Sequence, residues 1–265
     1  MNLFDYDFMV TAFAASGVVA LVAGIVGVFL VARGQTFAGH ALSHVGFAGA
    51  TAAGLIGIAP LWGLIAFTLA AGVGMGSLGE RLSNRDVAIG IVLALSLGFG
   101  LLFLHFYTSF ATQAAVLLFG NVLAVSTDTL WTLIGLGSAT LIGLAVISRP
   151  LLFASLQPEL AEAKGVSLRL IGTLFMAIVA LTVSACVQIV GILLVFTLMV
   201  GPAAAAERLT TRFGAGLAIA ALLAIAEAWI GIAIAFYTDW PTSFCITALS
   251  ALVYFGAIGL THRRS

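Results

Sequence analysis

Apolar residues run along this chain in long blocks, broken at intervals by short polar or turn-forming clusters. A helix needs about 20 mostly apolar residues to cross the hydrocarbon of a bilayer. Blocks of that kind fall near residues 10–32, 38–58, 61–79, 87–107, 130–148, 170–187, 189–206, 214–236 and 243–261. The interruptions are physical stops: Arg33-Gly34-Gln35 after the first block, Ala59-Pro60 after the second, and the run from Glu80 to Asp86 after the third. Residues 108–129 are apolar but notched by Thr108-Ser109, Thr112-Gln113, Gly120-Asn121 and Ser126-Thr127-Asp128. That pattern predicts a re-entrant or interfacial segment rather than a crossing. The 170–206 stretch divides near Val187-Gln188, and merging the two spans there gives eight crossings in place of nine. The expectation is an all-α integral membrane protein, one polytopic helical bundle over residues 1–265.

Composition and charge add the class and the orientation. Hydrophobic residues make up 62% of the chain and charged residues 8%, against roughly 25% charged in a soluble domain. Lys and Arg number 10 and match the 10 acids, so no surface exists to neutralise a run of phosphates and nucleic-acid binding is excluded. With the N-terminus outside and nine crossings, the inner side holds Arg33, Arg81, Arg85, Arg149, Lys164, Arg169, Arg208, Arg212, Arg263 and Arg264, which is every cation in the chain. Asp5, Asp7, Asp128 and Asp239 fall outside. This segregation gives an N-out, C-in topology. The start of the chain is acidic with no basic region, so the first block is expected to be retained rather than cleaved. Cys186 and Cys245 lie inside apolar blocks, as small buried hydrophobes do.

Several chemistries drop out. Gly74-Met75-Gly76-Ser77-Leu78-Gly79 matches the dinucleotide fingerprint by letter, but no strand precedes it and it lies within an expected membrane helix. The one lysine, Lys164, is not set in a phosphate loop, so ATP hydrolysis by this chain alone is excluded. A His-Glu-x-x-His metalloprotease helix does not occur.

The remaining polar residues carry the functional argument. Glu227 falls near the middle of the 214–236 block, where a carboxylate costs a few kcal/mol and faces a cavity, a partner or a cation. A structural hydrogen bond between helices and a cation pathway both satisfy that requirement. His40 and His44 are four residues apart, so their imidazoles project from nearly one helix face. Imidazole is a ligand for zinc, manganese or iron, yet two donors do not complete a coordination sphere, and capping of neighbouring helices is the alternative. His105 and His262 fall at interfaces. Between Arg149 and Arg169, Pro158 through Gly165 reads as a short amphipathic helix bearing Glu159, Glu162 and Lys164, with Pro158 in its first turn and Gly165 as its stop. This segment is either a solvated loop or a docking helix for a cytoplasmic partner.

One ordered set of segments resembles a known family. The set comprises Gly39-His40-Ala41-Leu42-Ser43-His44-Val45-Gly46-Phe47-Ala48-Gly49, Asp86-Val87-Ala88-Ile89-Gly90 and Leu118-Phe119-Gly120-Asn121-Val122-Leu123. It continues with Glu159 to Val166, Val190 to Phe196 with Gly201-Pro202-Ala203-Ala204-Ala205, and Asp239-Trp240-Pro241-Thr242. Together they resemble the permease subunit of bacterial metal-type ABC importers, which move zinc, manganese or iron. The resemblance implies a type II-like importer fold in the bacterial plasma (inner) membrane. It also implies a permease homodimer, separate cytoplasmic ATPase subunits, an external metal-binding protein, and a transported divalent ion in place of a bound cofactor. Zinc is the cargo expected first. Residues Glu159 to Val166 match the family's coupling segment. Two positions depart from the family pattern: His40 stands where the family has Asp, and Ser243 where it has Gly. Under this reading His44 and Glu227 are the candidate transient metal contacts, Glu227 facing the central cavity of the dimer, and His40 is a further candidate on the transport path. A secondary metal transporter or channel is the competing reading. It calls for several intramembrane acids, and Glu227 is the one that lies deep.

Overall fold

A computed structural model describes residues 6–78, 85–107, 116–192 and 194–262. Asp5, Arg81, Arg263, Arg264 and the first part of the expected re-entrant segment, residues 108–115, lie outside the described residues. The helices are α1 (Asp7–Ala32), α2 (Thr36–Leu55), α3 (Pro60–Ser77), α4 (Arg85–His105), α5 (Thr127–Leu156), α6 (Pro158–Ala163), α7 (Leu168–Val190), α8 (Val195–Leu209), α9 (Phe213–Thr238) and α10 (Thr242–His262). Between α4 and α5, residues 116–119 are helical and Val122–Ala124 form a 3-10 turn. No strand occurs among the described residues.

Of α1 to α10, all except the six-residue α6 correspond to the nine apolar blocks. Seven of them (α1, α3, α4, α5, α7, α9 and α10) are long and apolar enough to cross a membrane. The other two are informative. α2 carries His40, Ser43, His44 and Thr51, and most of its residues are buried, so protein rather than lipid surrounds its polar positions. α8 has 15 residues and so reaches about 22 Å, short of a hydrocarbon core of roughly 30 Å.

Three boundaries differ from the sequence reading. α5 runs on through Arg149 and Pro150 to Leu156, eight residues past the expected stop at 148, because a helix can carry an internal proline where the lost hydrogen bond lies on an accessible face. The inner loop is correspondingly shorter. The block expected to begin at 189 does not become helix until Val195, because Gly191 adopts φ 75° and ends α7. The segment expected to be wholly re-entrant gives way to α5 at Thr127, where the Ser126 hydroxyl accepts a hydrogen bond from the Thr129 backbone N–H at 3.2 Å.

α1 and α7 form the middle of the bundle. α1 packs on α9, α8, α5 and α7, while α7 also holds α3. α2 sits against α3 and α4. Gly49 and Gly63 let α2 and α3 touch backbone to backbone, since a Cβ on either would meet the other's carbonyl oxygen. α4 and α10 turn Ile91, Leu95, Leu102, Leu252, Phe255 and Leu260 outward, as lipid-facing helices do. Trp62, Trp131 and Trp240 are exposed at the ends opposite Arg33, Arg149 and Arg212, marking the outer interface with aromatic rings.

Where the second half of the 108–129 segment meets the end of α7, two chain breaks cross. Gly120 and Gly191 both take positive φ, 72° and 75°, and a Cβ on either would run into the other's backbone. The Ile192 N–H donates to the Leu117 carbonyl at 3.1 Å, and the Ser243 hydroxyl donates to the Phe119 carbonyl. Non-helical backbone at this depth is thus paired within the protein. A cleft of about 450 Å³, lined in part by Asn121, Asp128 and Gln188, opens beside it at the outer face.

Candidate functional site

A tight turn sets the histidine pair in place. After Arg33, Gly34 takes φ 62° and its N–H bonds the Val31 carbonyl at 2.9 Å, while the Gln35 N–H reaches the Leu30 carbonyl at 3.0 Å. α2 then starts at Thr36, and its first turns lie against the end of α1 through Gly39 and Leu30. His40 and His44 point from the same face, as their spacing predicts. Their Nε2 atoms are 3.3 Å apart and the rings meet edge-on, with centroids at 4.8 Å. His44 is 6% exposed. His40 packs against the Phe196 ring at 5.7 Å and, with Thr36, Phe37, Phe196 and Thr197, lines an open pocket of about 370 Å³.

This geometry suits a metal. Two nitrogens held at about 2.1 Å from one ion in tetrahedral or octahedral coordination stand roughly 3.0–3.4 Å apart. The two Nδ1 atoms are buried and have no hydrogen-bond partner from the protein, so no neighbouring carbonyl fixes which nitrogen of either ring carries its proton.

Glu227 is elsewhere. It lies on the buried face of α9 among Ala220, Ala224, Ala228 and Gly231; Ala220 lets Gly24 of α1 approach closely, and Gly231 admits Ile246 of α10. At 2% exposure it is enclosed within a single chain, so the expectation that it opens onto a dimer cavity is corrected. The reason is that α1, α8 and α10 all pack on α9 and cover its polar position. Ser250 on α10 is the polar side chain facing the carboxylate, although neither carboxylate oxygen reaches a protein donor at hydrogen-bond distance. The Ser250 hydroxyl also donates to the Thr197 carbonyl at 3.4 Å, and Thr197 lines the His40 pocket. The structure therefore brings His40 and His44 together and leaves Glu227 apart, linked through Ser250 and the start of α8. Among the described residues no three His, Cys, Asp or Glu side chains gather into one cluster. Ser250 and Thr197 were invisible to sequence reading, because single hydroxyls in apolar helices usually bond their own backbone.

The short helix expected between Arg149 and Arg169 is present. Pro158 opens α6, Gly165 ends it with φ 83°, and the Val166 N–H returns to the Ala161 carbonyl at 2.9 Å. Ala161 is buried beneath it, whereas Glu159, Leu160, Glu162, Lys164 and Gly165 are exposed. The Lys164 ammonium sits 5.9 Å from the centre of the Phe153 ring, holding α6 to the last turns of α5. Cys186 and Cys245 are buried, as their apolar settings predict.

The ABC 3 transport family matches residues 5–261. The chain belongs to that family. The manganese transport system membrane protein MntC of Halalkalibacterium halodurans is 29% identical over 254 residues, covering 96% of this chain and 87% of that protein. A probable metal transport system membrane protein of Treponema pallidum is 32% identical over 262 residues, covering 98% and 97%. The solved PsaBC structure from Streptococcus pneumoniae, in complex with Fab, aligns with a TM-score of 0.87 at 26% identity and covers 97% of this chain and 92% of that one. As an ABC 3 member this chain is a multi-pass membrane protein, and its helical bundle is the fold of that structure.

Proposed function

We propose that this chain is the permease subunit of an ATP-driven importer of divalent transition-metal ions. The observation that supports the reading best is the His40–His44 pair, two imidazole donors 3.3 Å apart on a helix shielded from lipid by protein. His44 and His40 act as passing contacts for the ion, and Glu227 is a third polar station deeper in the bundle. The chemistry of hydrolysis resides in separate cytoplasmic ATPase subunits, which dock on α6 through Glu159, Glu162, Lys164 and Gly165. An extracytoplasmic metal-binding protein delivers the ion at the outer face, and two permease copies complete the transporter.

Manganese is the cargo named for the MntC relative, and it displaces zinc as the ion expected first. Imidazole at position 40 in place of a carboxylate keeps zinc and iron in contention, because nitrogen donors suit those ions better than manganese. The deciding experiment is uptake of labelled manganese, zinc and iron by cells lacking their own importers. The permease is expressed with its ATPase and binding-protein partners, and uptake is normalised to permease in the membrane. ATP-dependent uptake of at least one of these ions is expected. Uptake that persists without the ATPase subunits overturns the reading in favour of a channel or secondary transporter.

A further inference from the structure

We infer that Arg33 is a positioning residue that ties the docking helix α6 to the histidine pair, so that movement of α6 is passed to α2. This rests on the functional reading above and adds a component to it. The Arg33 guanidinium donates to the Ser155 hydroxyl at 2.6 Å, across 122 positions of sequence. Ser155 in turn donates to the Leu151 carbonyl at 2.6 Å, so its hydroxyl is fixed in orientation by the last turns of α5. Two residues later Gln157 closes α5 and accepts the first backbone bond of α6, from the Ala161 N–H at 2.9 Å. On its other side the guanidinium lies 5.6 Å from the centre of the fully buried Phe175 ring, on α7, the helix that α6 leads into. One side chain thus touches the element before α6 and the element after it.

The other end of Arg33 is equally constrained. Its backbone belongs to the three-residue turn that launches α2, with Gly34 and Gln35 bonded back to α1 and the Gly39 N–H bonded to the Gln35 carbonyl at 3.2 Å. Gln35 is buried, and His40 follows in the second turn of α2. A displacement of the guanidinium therefore has little slack to absorb it before it reaches the imidazoles. The planar fork is suited to this because it can hydrogen-bond in its plane and stack on a ring with its face, which a lysine cannot do in one geometry. Nothing in this arrangement is needed merely to fill the bundle: Arg33 is partly exposed and borders an inner cavity of about 630 Å³ that also touches Ser155, Glu207 and Arg212.

The test uses the whole transporter, with its ATPase and binding-protein partners, in proteoliposomes. Metal uptake and ATP hydrolysis are measured together for the parent protein, Arg33→Gln, Arg33→Lys and Ser155→Ala. Failure of the parent to show ATP-dependent uptake strikes the functional reading itself, before any variant is considered. The expected result is hydrolysis maintained while ions moved per ATP fall about tenfold in Arg33→Gln, within the range of an ordinary coupling energy between sites. Arg33→Lys falls between the two, and Ser155→Ala shares the phenotype in weaker form. Uptake and hydrolysis both at parental levels in Arg33→Gln overturn the inference, as does their loss in equal proportion from an intact complex. If Arg33→Gln does not assemble, Ser155→Ala decides by the same two criteria, since removing one hydroxyl leaves α5 intact.

Discussion

The Nε2 atoms of His40 and His44 stand 3.3 Å apart, facing one another across one turn of α2. At that distance an Nε2–H tautomer of one imidazole donates to the other, and an ion entering between them takes both Nε2 lone pairs once that proton has moved to the Nδ1 of its ring or to water. Replacing either ring with alanine leaves one nitrogen donor. His44→Ala is expected to lower uptake at least about tenfold, since losing even a group that merely supports a ligand costs that much. Uptake assays at several metal concentrations check this, and parental uptake in both single variants removes the pair from the path.

Position 40 also offers a test of selectivity. His40→Asp installs the residue that the resembled family carries there and exchanges a nitrogen donor for a hard oxygen donor. Manganese uptake relative to zinc is expected to rise, because carboxylate suits manganese and imidazole suits zinc. Competition between the two labelled ions measures the ratio. An unchanged ratio means that the side chain at 40 does not touch the ion.

A third expectation concerns the crossing of Gly120 and Gly191. Alanine at Gly191 forces a side chain into positive φ and drives its Cβ into the backbone of the 117–120 segment. Strain of that kind costs about 1–3 kcal/mol before the collision is counted. Gly191→Ala is expected to unfold at a clearly lower temperature in detergent. Gly135→Ala and Gly259→Ala, where an added Cβ meets nothing within 4 Å, are expected to behave like the parent.

Periodicity and charge made the scaffold legible. Long apolar blocks and the one-sided cations foretold the helices because lipid leaves the backbone few other solutions. Pro158 and Gly165 likewise marked α6 through their local backbone preferences. What stayed hidden depends on tertiary contact. The apolar block at 130–148 ends before Arg149, yet α5 runs on through Pro150 to Leu156. Val187-Gln188 looked like a break, whereas the chain opens at Gly191 because Gly120 occupies the space beside it. The histidine pair followed from a spacing of four, but the enclosure of Glu227 depends on α1, α8 and α10 packing around α9, and no pattern within residues 214–236 reports that.

α3 and α7 provide a calibration of hydroxyl contacts. Thr68 and Ser184 meet at 2.9 Å in the buried interface, and each also donates to or can reach a carbonyl of its own helix, at 2.8 Å and 2.9 Å. Deleting one hydroxyl leaves the other satisfied. Thr68→Val is therefore expected to cost only about 0.5–1.5 kcal/mol and to leave uptake unchanged, as read by thermal unfolding alongside transport.

Glu227 separates two accounts by the sign of a stability change. A carboxyl group enclosed among Ala220, Ala224, Ala228 and Gly231, with no donor at hydrogen-bond distance, is an expense the fold carries without evident structural return. If its role is to meet a passing cation, Glu227→Gln removes that function while keeping shape and polarity. Uptake is then expected to fall sharply while the protein inserts normally and unfolds at the same or a higher temperature. If its role is instead to hold α9 to α10 through Ser250, the amide weakens the contact, so the variant unfolds at a lower temperature and uptake per folded molecule is kept. Ser250→Ala provides the cross-check: a structural bond makes it mimic Glu227→Gln in stability, whereas a cation station leaves most uptake in place. Parallel measurement of uptake and unfolding temperature on these two variants distinguishes the accounts, and retained uptake with reduced stability in Glu227→Gln removes this residue from the ion path.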